Sequence, residues 1–232
     1  MAKTTNNEFI VQLRGKVALD SGCLKPGIRK AMWEKLEDKY LYKKYPLAQF
    51  EEYYSSFTDP EKQEEAKSMY AFLGRLIDSK REHPGIVVSR IYRDNFNPIY
   101  DDIHNDNKYD NRQTYATCQF TARIIQINPH DIMDMEVIST SQTNKSILAG
   151  ARRTKKRDGF PFLVIGVIPL PDENTLKDGR MTAAHGTIGY HASVAKTLED
   201  VAVKSRVRVE VMQMPKIAGS KIICVCKFIK VV

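Results

Sequence analysis

The segment Phe160-Pro-Phe-Leu-Val-Ile-Gly-Val-Ile-Pro-Leu170 is unusually apolar and follows directly on a strongly basic loop. A short apolar run bounded by turn residues is typical of a deeply buried strand. The loop before it, residues 145–159, carries five cations within six positions: Arg152, Arg153, Lys155, Lys156 and Arg157. Fixed positive charge on a rigid support attracts a phosphate backbone, but a solvated loop that keeps a hydrophobic strand soluble has the same composition. Taken alone, the loop leaves both interpretations open.

Length, charge and hydropathy limit the class of protein. The chain has 232 residues, of which 42% are hydrophobic, so it can form the core of one domain, with or without an insertion. Its net charge of +8 and pI of about 9.2 favour an acidic partner such as nucleic acid. Apolar runs are all shorter than the roughly 20 residues of a membrane span, and no apolar signal segment opens the sequence, so we expect no membrane association. The four cysteines lack zinc-site spacing and predict small apolar side chains in a reducing cytoplasm.

The positive charge is not spread evenly along the chain. Residues 29–82 hold eleven Lys/Arg and eleven Asp/Glu, a net charge of zero. Residues 203–232 hold seven basic side chains against one acidic residue, Glu210. The excess charge therefore belongs to the segments predicted to form strands and to their loops.

Hydrophobic periodicity predicts a chain of many strands and few helices. Alternation with period two predicts a half-buried strand over residues 9–19, in which Gly15 predicts a bulge or bend. Apolar spacing of three and four predicts helices over residues 28–42 and 192–201, and a further helix begins near Asp59-Pro60. Period-two or continuous apolar patterns predict the other strands, over residues 86–92, 115–127, 133–140, 160–170, 203–212 and 221–232.

Recognisable catalytic motifs are missing from the sequence. It contains no G-x-S-x-G, no P-loop and no G-x-G-x-x-G after a strand, so we expect a protein that is not an enzyme. Two clusters, within residues 101–110 and 185–191, contain Asp and His but match no metal-loop spacing. We therefore predict no metal site and no cofactor, and rank a metal-dependent nuclease below two non-enzymatic functions.

Cations on the outward side of predicted strands favour nucleic-acid binding over an ordinary polar face. Arg14 and Lys16, then Arg123, then Arg206 and Arg208 lie opposite the apolar side of three strands. Cations for phosphates and rings for bases are how proteins hold single strands without reading sequence. The predicted nucleic-acid-binding residues are Arg14, Lys16, Tyr115, Phe120, Arg123, Arg152, Arg153, Lys155, Lys156, Arg157, Phe160, Lys204, Arg206, Arg208, Lys216 and Lys221.

Two segments resemble a known family. Ala195-Lys-Thr-Leu-Glu-Asp-Val-Ala-Val-Lys-Ser-Arg-Val-Arg-Val-Glu-Val211, followed by a hairpin, is similar to the closing part of bacterial and phage single-stranded DNA-binding proteins. Phe9-Ile-Val-Gln-Leu-Arg-Gly-Lys-Val17 looks like their opening strand. The resemblance implies a five-stranded OB barrel that binds single strands across its face, with contacts on Arg14, Lys16, Arg206 and Arg208.

The chain also departs from that family. It ends Phe-Ile-Lys-Val-Val where the family has an acidic partner-recruiting tail, and its helical segment would be a large insertion. We therefore predict an α+β, β-rich OB-like Greek-key barrel with an inserted helical element. It would form one domain over residues 1–232, with residues 1–25 and 86–232 as the nucleic-acid-binding core and residues 26–85 as the insertion.

The predicted function is sequence-tolerant, non-enzymatic binding of single-stranded nucleic acid by a viral or phage protein in the host cytoplasm, with a role in DNA replication. Single-stranded DNA is the favoured partner, RNA is the alternative ligand, and a homo-oligomer is left open. The second function is a structural or assembly protein whose basic face meets nucleic acid or an acidic neighbour.

Overall fold

The structure is a computed structural model that describes residues 4–19, 27–45, 59–61, 64, 86–105, 114–154, 161–177, 179–183 and 188–232. Contacts divide the chain into two compact units. We call Glu8–Gln126 the sheet unit, and Met1–Asn7 with Ile127–Val232 the barrel unit. The division at Gln126 differs from the predicted boundaries of core and insertion, and the prediction of one domain over residues 1–232 stays a prediction.

The sheet unit is an antiparallel sheet with one described helix against it. In chain order its elements are β1 (Glu8–Leu19), α1 (Ile28–Tyr40), β2 (Lys44–Tyr45), β3 (Ile86–Asn105) and β4 (Thr114–Ile125). The strand order is β1-β4-β3-β2. The strand predicted over residues 9–19 and the helix predicted from residue 28 are confirmed. The helix predicted near Asp59-Pro60 falls almost wholly outside the described residues.

One face of this sheet forms the core of the unit together with α1. Leu13 and Val17 of β1 are buried with Met32 and Leu36 of the helix, because both elements present an apolar side to each other. Gly15 lies between them, where an added Cβ would come 2.9 Å from the Tyr40 ring. The bulge predicted at this glycine is wrong, since β1 and β4 pair without a register shift. Its missing side chain instead allows the helix to approach the strand closely.

The barrel unit contains a closed ring of five strands. In chain order its elements are β5 (Ile132–Ser141), β6 (Ser146–Arg153), β7 (Phe162–Pro169), β8 (Pro171–Lys177), β9 (Arg180–Ala183), β10 (Gly189–His191), α2 (Ala192–Glu199), β11 (Arg206–Val211), β12 (Lys216–Ala218) and β13 (Lys221–Val231). Strands of the ring pair in the order β11-β5-β6-β7-β13, and a further pairing of β11 with β13 closes it. All of these pairs are antiparallel except β7 with β13, which is parallel. The predicted β-rich barrel is therefore confirmed.

The barrel core is built by alternate residues of the two most apolar strands. In β13, Cys224 and Cys226 are fully buried on the inner side, as predicted, and burial raises the pKa of the Cys224 thiol to about 12. Gly166 of β7 faces the same interior, where an added Cβ would lie 2.7 Å from the Met135 sulfur. These thiols serve as small apolar side chains in a closely packed barrel.

Two predictions about individual strands need correction. The strand predicted over residues 203–212 begins at Arg206, because Lys204 adopts a left-handed turn with φ of 73° and Val203 is 49% exposed. The loop predicted over residues 145–159 contains a strand, because Ser146–Arg153 forms β6. The segment that resembles the family's opening strand is β1, which pairs with β4 in the sheet unit, and the resemblance stays a prediction. Among the described residues, none of the helices has the length and apolar character needed to cross a bilayer.

Candidate nucleic-acid interface

The side of the sheet opposite α1 carries most of the cations predicted in the sheet unit. Alternation in β1 turns Arg14 and Lys16 away from the core, and both are half-buried. Side chains of residues that pair across antiparallel strands lie on the same face, so register shows which residues share it. We define the sheet face by its charged and aromatic side chains: Arg14, Lys16, Arg90, Tyr92, Tyr115 and Arg123.

Register brings these residues together from three neighbouring strands. Arg123 of β4 pairs with Ile10 of β1 on one side and with Arg90 of β3 on the other. One row further along, Tyr92 of β3 pairs with Thr121 of β4. Arg14 and Lys16 occupy the next rows of β1, and Tyr115 lies two residues beyond the partner of Lys16. The sheet face is therefore continuous across β1, β4 and β3.

Each tyrosine of the sheet face lies beside a cation. The Lys16 Nζ is 4.9 Å from the centroid of the Tyr115 ring, and the Arg90 guanidinium is 5.0 Å from the centroid of the Tyr92 ring. Both rings are half-buried, so part of each ring surface faces solvent. A ring held beside a positive charge offers one surface for a base and a nearby charge for its phosphate.

The charge balance on this face is positive. Its four cations are opposed by Glu8, whose carboxylate lies 3.6 Å from Arg123. The Arg123 side chain is 39% exposed and the Glu8 side chain 23% exposed, so water and salt weaken this ion pair. Among the side chains that the structure describes, the four cations and Glu8 leave a net charge of +3 on the face.

Hydrogen bonds from the core fix the backbone beneath the β1 cations. The Tyr45 hydroxyl donates to the carbonyl oxygen of Arg14, and the Lys16 N–H donates to the Tyr40 hydroxyl at 3.3 Å. Lys39 of α1 donates from Nζ to the Lys16 carbonyl oxygen. Burial lowers the pKa of Lys39, and the positive charge of Lys16 lowers it further. The strand that presents the cations is thus anchored by two buried tyrosines, Tyr40 of α1 and Tyr45 of β2.

The predicted cations of β6 and β11 are in a different electrostatic setting. Arg208 forms a bidentate pair with Asp134, with Nε–Oδ1 at 2.7 Å and Nη2–Oδ2 at 3.0 Å. Arg153 contacts both carboxylate oxygens of Glu136 at 2.9 and 2.8 Å, and Arg206 pairs with Glu136 in the strand register. We call these five residues the barrel ladder.

The barrel ladder corrects the expectation that acidic side chains are scarce beside the strand cations. The acids come from β5, which pairs with β11 although it is about 70 residues earlier in the chain. The Arg208 guanidinium holds the pKa of Asp134 below its usual range, because it donates directly to the carboxylate. Arg153 and Arg208 are thus engaged within the barrel.

The remaining predicted cations are scattered over the barrel unit. Arg152 has a left-handed φ of 60°, and its Nη2 lies 3.4 Å from Asn7 Oδ1. Lys221 donates from Nζ to the Phe162 carbonyl oxygen at 2.9 Å. Lys204 and Lys216 are exposed. Lys155, Lys156, Arg157 and Phe160 lie outside the described residues.

Phe120 does not belong to the sheet face. Its ring is 1% exposed and packs 5.7 Å from the Tyr40 ring in the core of the sheet unit. A ring so covered has no surface for a base in this structure. Its assignment to the interface is therefore corrected, while Tyr115 remains on the outward side.

Sequence inspection missed two residues of the sheet face, Arg90 and Tyr92. Both lie in the strand predicted over residues 86–92 and are two residues apart. Because side chains alternate along a strand, this spacing places Arg90 and Tyr92 on the same side of it. The signal that could have identified them was therefore present in the sequence.

Metal-binding groups add nothing to the candidate site within the described part of the chain. There, no group of three His, Cys, Asp or Glu side chains is placed to hold an ion. Of the two predicted clusters, His191 is described, and its Nδ1 lies 3.1 Å from the Ser193 hydroxyl. The other Asp and His side chains of those clusters lie outside what the structure describes.

Comparison with known proteins finds no protein-family model and no curated protein that matches this chain. The function must therefore be inferred from the molecule's own fold and surfaces.

Proposed function

We propose that this chain is a non-enzymatic single-stranded nucleic-acid-binding protein and that the sheet face is its principal binding surface. The observation that carries the proposal is the placement of two half-exposed tyrosines beside cations on one continuous, positively charged face. Phosphates would lie against Arg14, Lys16, Arg90 and Arg123, and bases would stack on the two rings. Stacking and phosphate contacts do not distinguish one base from another, so binding is sequence-tolerant.

Single-stranded DNA is the proposed ligand and RNA the alternative. A duplex hides its base faces in its own stack, so it would reach the cations without using the tyrosines. The sheet face offers no feature that selects a 2′-hydroxyl, the group by which proteins tell RNA from DNA. Preference for single strands over duplexes is therefore the property to test first.

We also propose that the barrel belongs to the OB type. In chain order its strands β5, β6, β7, β11 and β13 pair first–second–third–fifth–fourth, with the third and fifth parallel and α2 between the third and fourth. This is the arrangement that OB barrels share, and it supports the resemblance of residues 195–211 to single-stranded DNA-binding proteins. In this proposal the basic residues of segment 152–157 other than Arg153, which Glu136 engages, add affinity without sequence preference, because their contribution is charge.

The test is a fluorescence-anisotropy panel with labelled single-stranded DNA, double-stranded DNA and single-stranded RNA at low and at physiological salt. We expect the single strands to bind more tightly than the duplex and every affinity to fall as salt rises. Equal affinity for duplex and single strand, or binding insensitive to salt, would refute the proposal. Size-exclusion chromatography without nucleic acid addresses the assembly alternative, which requires a large homo-assembly of the protein alone.

A further inference from the structure

A cavity of about 640 Å³ opens in the sheet unit between the beginning of α1 and an irregular part of β3. The irregularity is a shift in the β3–β4 register between Tyr92 and Asn97, which displaces the intervening residues from regular pairing. Bulges often redirect side chains next to binding sites. The cavity volume falls within the range of pockets that hold small ligands.

Three cations line this cavity against one carboxylate. Arg29 and Lys30 come from the first turn of α1 and Arg93 from the bulge, while Asp94 is the acidic lining residue. Arg29 is held in place by a hydrogen bond from its Nη2 to the Phe96 carbonyl oxygen at 3.0 Å. Glu34 lies 3.9 Å from Lys30, but this pair is exposed and therefore weak. Among the described lining residues, three cations against one carboxylate favour an anionic ligand.

The helix and an aromatic pair add to this preference. The first turn of α1 contains no acidic side chain, and its N-cap, Gly27, has no side chain to satisfy the helix N–H groups. The back of the cavity is formed by Trp33, which is 9% exposed, while Phe96 is 4% exposed and supports the Trp33 ring edge-on at 5.5 Å. The cavity therefore combines a cationic rim with a small apolar surface on Trp33, which suits a phosphate attached to an apolar group.

We infer that this pocket binds one nucleotide, with its phosphate against Arg29, Lys30 and Arg93 and its nucleoside against the exposed part of Trp33. The inference rests on the proposed function in taking the nucleotide to be a unit of the bound single strand. Arg93 directly follows Tyr92 in β3, but the pocket lies on the α1 side of the sheet, so a strand bound on the sheet face would have to pass around β3 at the bulge to place a nucleotide in it. A free mononucleotide carries the same chemistry, and the experiment separates the two sources.

Trp33 is the single tryptophan of the chain, so the protein's own tryptophan fluorescence reports on this pocket. Wild-type protein is titrated with thymidine monophosphate, with thymidine, and with unlabelled single-stranded oligonucleotide. Anisotropy of a labelled oligonucleotide is measured in parallel. We expect a saturable fluorescence change with the monophosphate and the oligonucleotide, and none with thymidine.

Two variants test the roles of the charges. Lys30→Ala/Arg93→Ala removes two exposed cations and should weaken the monophosphate-induced change about tenfold. Asp94→Asn removes the opposing carboxylate and should raise the affinity for the monophosphate. The matched control, Lys177→Ala/Arg180→Ala, removes two exposed cations of the β8–β9 hairpin and should leave the affinity for the monophosphate unchanged. All of these side chains are exposed, and circular dichroism confirms that each variant folds.

The outcomes separate the pocket from the proposed function. No saturable change with any phosphate-bearing ligand, or equal weakening in the pocket variant and the control, overturns the pocket, and persisting oligonucleotide anisotropy then leaves single-strand binding in place. A response to the monophosphate without any oligonucleotide binding refutes the proposed function and assigns the pocket to a free nucleotide. A response to both that is weakened by Lys30→Ala/Arg93→Ala supports the inference in full.

Discussion

Replacement of the four sheet-face cations should change the salt dependence of single-strand binding by a predictable amount. The variant carries glutamine at Arg14, Lys16, Arg90 and Arg123. Each phosphate contact to a single strand contributes about 0.7 to the slope of log affinity against log salt, so four contacts contribute about 2.8. These contacts alone would weaken binding about 50-fold over a fourfold increase in salt. The variant should lose this part of the slope.

The structure supports counting all four cations. They lie on adjacent rows of three paired strands, so one extended backbone can follow them across the sheet. Glu8 competes with phosphate for Arg123, but their separation of 3.6 Å and their exposure make this a weak pair. Glu8→Gln should therefore raise affinity slightly, in the direction opposite to the cation variant.

A second variant with the same change in charge provides the control. It carries glutamine at Arg153 and Arg206 of the barrel ladder and at the exposed Lys177 and Arg180. Arg153 already contacts both oxygens of Glu136, so it contributes little to the release of counterions when nucleic acid binds. Its replacement should therefore change the salt dependence of binding very little. We expect its slope to stay within about 0.7, one phosphate contact, of the wild-type slope.

Anisotropy titrations at a series of salt concentrations measure both slopes, and thermal melting confirms that each variant folds. A folded sheet-face variant that keeps the wild-type slope would refute the assignment of phosphate contacts to this face. If the control variant loses the slope instead, the phosphate contacts are made by the cations of the barrel unit and not by the sheet face.

Three further predictions concern the rings, a barrel glycine and an ion pair. Leucine at Tyr92 and Tyr115 should weaken single-strand binding by about 1–3 kcal/mol per stacked base in the anisotropy titration, and unchanged affinity would remove the rings from the interface. Gly166→Ala places a Cβ 2.7 Å from a methionine sulfur inside the closed barrel and should lower the free energy of unfolding by about 1–3 kcal/mol. In Gly189→Ala the added Cβ would lie 3.9 Å from the Met181 carbonyl oxygen, an ordinary contact, so the free energy of unfolding should change by less than about 0.5 kcal/mol in the same denaturant titration. Equal costs for the two variants would contradict the packing. Asp134 has a folded-state pKa held below its usual range, so its contribution to stability is present above about pH 4 and is lost on acidification. Asp134→Asn should therefore be less stable than the wild type at neutral pH, and a difference of the same size at acidic pH would contradict the pairing.

Local elements could be predicted from the sequence because their patterns are local. The alternation in residues 9–19 fixed both the strand and its buried side, and the apolar spacing from Ile28 located the helix. Closure of the barrel could not be predicted in this way. It depends on β11 pairing with both β5 and β13, and no local pattern specifies a partner so distant along the chain.

The candidate site shows the same limit in its rings. Phe120 is a predicted binding residue close to Arg123 in sequence. The two are three residues apart, however, and an odd separation in a strand turns side chains to opposite faces. Tyr92 lies on the same face as Arg123 because the β3–β4 register pairs Arg90 with Arg123 and Tyr92 with Thr121. Parity along one strand could have excluded Phe120, but finding Tyr92 required the neighbouring strand.

Strand partners also explain why two basic strands that look alike in sequence have different surfaces. Both β1 and β11 present two outward cations separated by one residue: Arg14 and Lys16 in one, Arg206 and Arg208 in the other. The β4 residues opposite the first pair are Gln119 and Thr117, which carry no charge. The β5 residues opposite the second pair are Glu136 and Asp134. A carboxylate on the adjacent strand engages the cation that a phosphate would otherwise reach, because the paired side chains are within about 5 Å. Charge counted along a single strand therefore overestimates its capacity for nucleic acid wherever the adjacent strand is acidic, and β1 rather than β11 is the strand from which to begin mapping the interface.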